Sequence, residues 1–336
     1  TRRPARSRVC RTPAILARPG VTDLKGNQPT PVSSSRHGMV ATQHHVATEA
    51  GAAMLSSGGN AVDAAVAAAF TLGVVESAAS GLGGQTVMLL HLGESRRTFC
   101  LDGGSRAPHR TPPGQLGRED QLRGHKATTV PSTPAVLARA LQRYGTKSLE
   151  EVLEPAIEAA ASGYRVSPLQ HSLAGRGLRY LKEFSGGKLF LEGGGTPYPV
   201  GSIFRQPALA NTLRHLAGAG IEDFYQGEIA RQIHRDMVAN GGLIRDDDLA
   251  QIPWPVERHP LSTRFGNHRV FTFGPPGAGR ALIEALNLLE QFPAAMRDPD
   301  TPEGALLLTH VILKANLDRS DRPEDPALYA EELELG

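Results

Sequence analysis

Apolar and small residues recur at helical spacing over residues 42–57 and stop at Gly58-Gly59, where a helix end favours left-handed backbone. Asn60 then predicts the cap of a second helix, and Asp63 three residues on completes an approximate capping box. That helix, residues 61–76, is rich in Ala and Val on every side, and a helix with no wet face belongs in the interior. Ahead of both, Met39-Val40-Ala41 reads as a short buried strand. After Gly81-Leu82-Gly83-Gly84, two apolar runs at residues 86–92 and 97–102 flank a turn at Gly93-Glu94 and predict a β-hairpin with both faces largely covered.

Further on, residues 109–127 are a loop rich in Pro, Gly and charge, and residues 133–164 are helical, with Pro155 expected to divide them. A glycine-rich stretch at 185–201 precedes helical patterns at 206–217 and 227–238, the second closed by Asn240-Gly241-Gly242. Asp246-Asp247-Asp248 fits an acid-enriched helix start. A Pro-punctuated segment to Pro260, a strand at 269–273 and a helix at 279–291 follow. Long helices clustered after a hairpin, without regular βαβ alternation, indicate α+β layers. Residues 317–336 are acidic and have no evident closing element, so the chain reads as unfinished.

Composition changes the picture only at the front. The 336 residues carry a net charge of +2, yet residues 1–36 hold eight basic residues against the single acid Asp23, which leaves the body mildly acidic. With Pro4, Pro13 and Pro19 and no apolar core of a signal peptide, this stretch is expected to be a basic disordered arm, and 37–336 the folded body. No nucleic acid partner is expected. Cys10 and Cys100 cannot make a disulfide framework, and no apolar run reaches the ~20 residues that span a bilayer.

Local motifs carry little chemistry. Gly274-Pro-Pro-Gly-Ala-Gly279 joins a strand to a helix as a phosphate loop would, but Arg280 and Ala281 replace the Lys and Ser/Thr that grip phosphate and magnesium. The simpler reading is a tight strand-to-helix turn. Gly81-Leu82-Gly83-Gly84 follows a helix and opens a strand, the reverse of a dinucleotide fingerprint. His44-His45 has no partner at metal spacing, and Cys100 within an apolar strand reads as a buried small hydrophobe. No metal or cofactor is expected.

The ordered series of segments is more specific. Gly38-Met-Val-Ala41, Gly58-Gly-Asn-Ala-Val-Asp-Ala-Ala65, Gly81-Leu-Gly-Gly84, Leu101-Asp102 with Ala107-Pro108, and Tyr144-Gly145 come first. Asp223-Phe-Tyr-Gln-Gly227, Asn240-Gly-Gly-Leu-Ile244 with Asp248-Leu249, Val256-Glu-Arg258 with Pro260, Pro275-Pro276 and Asp318-Arg-Ser320 follow. Together, over residues 38–326, they resemble the gamma-glutamyltransferase family in the family's own order. The resemblance implies an N-terminal-nucleophile hydrolase, a four-layer αββα sandwich whose precursor cuts itself into large and small subunits. The chain corresponds to the large-subunit half. The nucleophile would be the N-terminal Thr of the small subunit, its own α-amine taking the hydroxyl proton, and the donor a γ-glutamyl amide such as glutathione. No cofactor is implied, and the family has both exported and cytoplasmic members.

Two departures qualify that expectation. The family's nucleophile motif, Thr followed by Thr or Ser and then His, does not occur: Thr128-Thr129 precedes Val130, and Thr309-His310 lies in a helical stretch. No catalytic residue is therefore expected in this chain, and a truncated, non-catalytic relative is the alternative. The family's typical members also carry, two residues after the position of Asp102, an Arg whose guanidinium fork grips the donor's α-carboxylate. Here Gly104 stands at that place and Arg106 comes two positions late. Either Arg106 reaches the donor from a shifted loop, or the donor is not an ordinary γ-glutamyl compound.

Overall fold

In a computed structural model, residues 33–321 are described. The chain divides between Ala41 and Thr42. In the first unit, residues 33–41 hold no helix or strand. The strand expected at Met39–Ala41 is therefore not formed: Met39 is exposed and no other strand pairs with the segment. Residues 1–32 of the basic arm lie outside the described residues.

The second unit begins with α1 (His45–Ser56) and α2 (Ala61–Val75), followed by β1 (Thr86–Leu92) and β2 (Arg97–Gly103). The loop after them contains a short helix, α3 (Arg118–Leu122), and a 3-10 turn at His125–Ala127, which the charge-rich composition concealed. Next are α4 (Thr133–Tyr144), α5 (Leu149–Ser162), β3 (Tyr164–Arg165), α6 (Pro168–Arg176), α7 (Leu178–Glu183), α8 (Gly187–Phe190), β4 (Leu191–Glu192), β5 (Thr196–Pro197) and β6 (Ile203–Phe204). The remainder runs α9 (Pro207–Ala219), α10 (Asp223–Gln226), α11 (Glu228–Ala239), α12 (Asp246–Ala250), β7 (Val256–Arg258), β8 (Leu261–Phe265), β9 (His268–Thr272), α13 (Gly279–Glu290), a 3-10 turn at Ala294–Arg297, and α14 (Pro302–Asp321). Among the described residues, no helix is long and apolar enough to cross a membrane.

The caps predicted from sequence close these helices. Asn60 Oδ1 accepts from the Val62 and Asp63 amides at 2.8 and 3.2 Å, and the Asn60 amide donates to Asp63 Oδ2 at 2.7 Å. Helix α2 is then buried against α1, α4 and α5, as its all-round apolar surface requires. Helix α1 starts at His45 rather than at Thr42, because His44 is its cap: Nδ1 accepts from the Val46 amide at 3.3 Å. Pro155 does not divide the 133–164 stretch. The break falls at Gly145–Ser148, where Ser148 and Glu151 form a new capping box, and Pro155 lies inside α5. The buried face of α5, with Val152, Leu153, Ala156 and Ala160, offsets the one hydrogen bond that a proline forfeits.

Strands β1, β2 and β7 form one antiparallel sheet in that order, with Leu90 opposite Phe99 and Leu101 opposite Glu257. Side chains alternate across a strand. Phe99, Leu101 and Gly103 point to the helices and are buried, while Val87 and Leu89 on the opposite face are 39% and 40% exposed. The hairpin is thus covered on one face rather than both. A second hairpin, β8–β9, turns at Gly266 with φ +56° and packs on α13. Its first strand lies between the Pro-punctuated segment and the strand expected at 269–273, where the sequence pattern predicts no element. Helices α13 and α14 leave Leu282, Leu306, Ile312, Leu313 and Leu317 exposed.

Asp63 holds the loop between α4 and α5 to the start of α2. Its fully buried carboxylate accepts from the Thr146 amide at 2.8 Å, the Thr146 hydroxyl at 2.7 Å and the Lys147 amide at 3.0 Å, beside the Asn60 cap. Gly145 has no alternative here, since a Cβ would meet Asp63 Oδ1 at 2.7 Å. Burial pushes the Asp63 carboxyl up, but the bonds from Thr146, Asn60 and Lys147 overcome this and hold its pKa below the ordinary aspartate range. Stability from a depressed carboxyl is present above its unfolded pKa and is lost as pH falls through the folded value. Asp63→Ala is expected to cost roughly 3–5 kcal/mol at pH 7 in urea denaturation, with the gap to the unmutated protein narrowing below about pH 4.

Candidate active site

The uncovered face of the sheet carries polar groups at its β2 end. Asp102 Oδ2 accepts from Arg258 Nε on β7 at 2.9 Å, and Oδ1 accepts from the Gly104 amide at 3.2 Å. Gln85 Oε1, just before β1, accepts from the Ser105 amide at 3.1 Å and from its hydroxyl at 3.3 Å. These bonds fix the Gly104–Ser105 corner. Asp102, Gly104 and Arg258 line a cleft of about 210 Å³ together with Gln85, Cys100 and the 273–277 turn.

Adjacent residues on β7 serve opposite faces. Glu257 turns toward the helices, where it accepts from Arg97 Nη2 and Arg143 Nη1, each at 2.7 Å, and from the Tyr144 hydroxyl. A buried carboxylate is tolerated only with such partners. Arg258 turns toward the cleft. Both residues belong to a motif legible in the sequence, but their division between faces follows from the β2–β7 register alone.

The glycines around the cleft have distinct reasons. At Gly103 a Cβ would lie 2.0 Å from Val136 Cγ2 and 2.7 Å from the Thr86 carbonyl oxygen, so β2 rests directly on α4. At Gly104 a Cβ would meet only Asp102 Oδ1 at 3.6 Å, and the position is exposed to the cleft. Gly84 uses its carbonyl: it accepts from the Ser132 amide at 3.0 Å and the Thr133 amide at 3.2 Å. Gly81 lies backbone to backbone against Gly73, where a Cβ would find the Gly81 Cα at 3.4 Å. The 81–84 loop is a close-packing device that opens onto a recess of about 600 Å³ lined by Ser80, Gly83, Gln85 and Thr86.

The two residues singled out from sequence are parted. Gly104 borders the cleft. Arg106 Nη2 donates to the Asp248 carbonyl oxygen at 2.9 Å and also to that of Gln251, at the end of α12. The same α12 holds the residues after it: Asp248 Oδ1 accepts from the His109 amide at 2.7 Å, and Arg110 Nη1 donates to Asp247 Oδ1 at 2.6 Å.

Among the described residues, His109, Asp247 and Asp248 bring potential ligand atoms within 4.8 Å of one another, a set that sequence reasoning missed because His109 and Asp248 are 139 positions apart. Arg110 already lies 2.6 Å from Asp247 and 3.9 Å from Asp248, and Asp248 Oδ2 accepts from the Arg245 amide at 2.9 Å. A guanidinium and backbone amides thus use the acceptors that a cation would need. His44 stacks on His45 at 4.7 Å, and burial followed by the His45 charge lowers its pKa. Burial, then the Asp102 charge, push the Cys100 thiol up to about 11, so it stays protonated and unreactive at neutral pH. Gly274–Gly277 is a closed turn, its ends joined by the Gly277 amide and the Gly274 carbonyl at 3.1 Å. A Cβ on Gly279 would strike the Phe273 carbonyl oxygen at 1.8 Å, which accounts for that glycine by packing.

A sheet packed by helices on one face, with a cleft at the end of its uncovered face, is an α+β arrangement, and its structural likeness to gamma-glutamyltranspeptidases places it in the N-terminal-nucleophile hydrolase class. The gamma-glutamyltranspeptidase family matches residues 47–333, and the chain belongs to that family. It is 33% identical over 301 residues to a glutathione hydrolase proenzyme of Escherichia coli, covering 87% of this chain and 52% of that protein. It is 32% identical over 312 residues to an Acylase ACY 1 proenzyme of a Pseudomonas species, covering 88% of this chain and 55% of that protein. The gamma-glutamyltranspeptidase structure from Helicobacter pylori superposes with a TM-score of 0.84 at 30% identity, covering 89% of this chain and 88% of that one. The chain spans about half the length of the curated relatives it matches, and corresponds to their large-subunit portion.

Two substitutions separate the roles of the paired glycines. Gly103→Ala is expected to lower stability by about 2–3 kcal/mol through overpacking on α4, whereas Gly104→Ala should stay within about 0.5 kcal/mol of the unmutated protein. Denaturant midpoints of the two variants measure the difference.

Proposed function

We propose that this chain is the large-subunit part of an enzyme that hydrolyses or transfers the acyl group of a γ-glutamyl or related amide. The observation that carries the reading is the half-covered sheet: helices bury Phe99 and Leu101, while Val87 and Leu89 stand exposed beside the Asp102–Arg258 cleft. A second sheet, from a small subunit cut from the same precursor, would bury that face, and the word proenzyme in the relatives' names supports such processing. The small subunit would supply an N-terminal Thr. Its hydroxyl gives a proton to the α-amine and attacks the amide carbonyl, the amine leaves with that proton, and water or an acceptor amine then takes the acyl group from the threonine ester.

In this reading the large subunit shapes the acyl pocket, and Gly104 sets its specificity. The family's donor-gripping guanidinium is missing at that position, and Arg106 is engaged by the carbonyls of Asp248 and Gln251. Arg106 therefore acts as a positioning residue for the 104–110 loop. A donor whose acyl chain ends without an α-carboxylate fits this site better than glutathione does, and one of the relatives is named an acylase.

Edman sequencing of the purified full-length gene product should reveal a second chain headed by Thr; a single unprocessed chain with no amidase activity would favour the non-catalytic alternative. In the processed enzyme, Gly104→Arg should lower the Michaelis constant for a γ-glutamyl anilide by about tenfold or more and leave that for a butyryl anilide unchanged. Arg106→Ala should shift the midpoint of denaturation with a less than about threefold change in the γ-glutamyl Michaelis constant. A large rise in that constant would instead make Arg106 the donor's own ligand.

A further inference from the structure

Gln85, just before β1, lines both the Asp102–Arg258 cleft and the recess beside the 81–84 loop, and the fold uses only one end of its side chain. Oε1 accepts from the Ser105 amide at 3.1 Å and from the Ser105 hydroxyl at 3.3 Å. A backbone amide can only donate, so the carboxamide atom that faces it is the oxygen. Oxygen and nitrogen diverge from one carbon in the planar carboxamide, and fixing Oε1 therefore aims Nε2 away from Ser105. Among the described residues Nε2 has no hydrogen-bond partner, and Gln85 is exposed. Two N–H groups thus stand on a side chain already held in place, which lowers the entropy that a ligand must remove on binding.

The rest of the cleft determines what those donors can meet. Among the described residues, Asp102 and Arg258 are the only charged side chains that line it, and they bond to each other at 2.9 Å. The second Asp102 oxygen takes the Gly104 amide, so the carboxylate is committed at both atoms. Charge in the cleft cancels, and an acyl chain ending in a carboxylate would find no uncompensated cation there. Val87, Phe273, Pro275 and Pro276 give the cleft apolar walls, and Gly104 adds no side chain. With the Cys100 thiol buried in β2, Gln85 is the neutral side-chain donor that the cleft presents.

We infer that Gln85 is a specificity-determining residue, whose Nε2 donates to a neutral carbonyl oxygen on the acyl chain of the substrate. The inference rests on the acyl-transfer reading and names its donor class: an apolar acyl chain that carries a ketone, ester or amide carbonyl. Apolar walls receive the stem, the balanced ion pair disfavours a charged end, and the fixed carboxamide supplies the one directional contact. A site built to hydrogen-bond a substrate group discriminates against the analogue that lacks it, because the site's own polar group is then left unpaired. Ser105 acts as a positioning residue, since its amide and hydroxyl together set the direction of Nε2.

Kinetics of the processed full-length enzyme test the assignment. Levulinyl and acetylbutyryl anilides, whose chains end in a methyl ketone, are compared with pentanoyl and hexanoyl anilides of matching length. The better ketone substrate is expected to exceed its hydrocarbon match about tenfold in kcat/KM. Gln85→Glu keeps an acceptor for Ser105 but puts an oxygen in place of the donor nitrogen, so it should bring that ratio to about one, and Gln85→Leu should do the same. A purely structural role for Gln85 would lower both substrates alike and leave the ratio where it was. An unchanged ratio in either folded variant overturns the proposal, as do equal rates on ketone and hydrocarbon anilides in the unmutated enzyme. Cleavage of a γ-glutamyl anilide with none of these four also overturns it and leaves the acyl-transfer reading standing, whereas an enzyme that cleaves no amide overturns that reading itself.

Discussion

Strand β2 lies against helix α4 with only the hydrogens of Gly103 between its backbone and Val136, and the geometry of the candidate site hangs from that contact. The Gly103 carbonyl accepts from the Ser132 hydroxyl, and the Ser132 and Thr133 amides in turn donate to Gly84. One knot therefore joins the end of the hairpin, the start of α4 and the glycine loop before β1. Because β2 cannot move away without breaking all three, the next residue, Gly104, emerges at a set place on the rim of the cleft. Asp102 on one side and Gln85 on the other hold the corner by its backbone amides, leaving the cleft side of Gly104 open.

The sheet then sorts charge by face. Period-two alternation sends Glu257 to the helix side, where two guanidinium groups and a phenol surround it, and sends its neighbour Arg258 to the cleft side to meet Asp102. Each carboxylate has its partner on a different strand or helix, so neither arrangement forms before the sheet does. The uncovered face is left with an apolar stripe at Val87 and Leu89 and an ion pair at its end, a surface suited to a second sheet with a polar reacting group above the pair. The same logic accounts for the long loop after β2. Arg106, His109 and Arg110 all bind α12, and this triple attachment keeps the cleft rim from folding inward.

The cap of α2, the first hairpin and the succession of family segments are legible in the sequence, because each is encoded by residues within a few positions of one another. Asn60 with Asp63, Gly58 after α1 and the turn between β1 and β2 are local devices, and the structure has them where the pattern placed them. The pattern erred where a distant partner overrode local preference. Pro155 by local preference predicts a break, but burial of α5 against α2 and α9 outweighs one lost hydrogen bond. Met39–Ala41 has the pattern of a strand, but strand-forming residues make no strand without a neighbour. The β8 strand, for which the pattern predicts no element, is formed by pairing with β9 and packing on α13.

By itself, then, the sequence determined the α+β class, the inward helix α2, the family and the substitution of Gly for Arg at position 104. Only the tertiary structure decided that Gly104 faces the cleft while Arg106 is drawn to α12, that Arg258 meets Asp102, and that one face of the sheet is left bare. The physical reason is separation along the chain: Arg106 and Asp248 are 142 positions apart, and Asp102 and Arg258 are 156 apart. Periodicity and capping report what a residue's near neighbours favour, whereas a side chain's choice between two distant partners depends on how the layers pack.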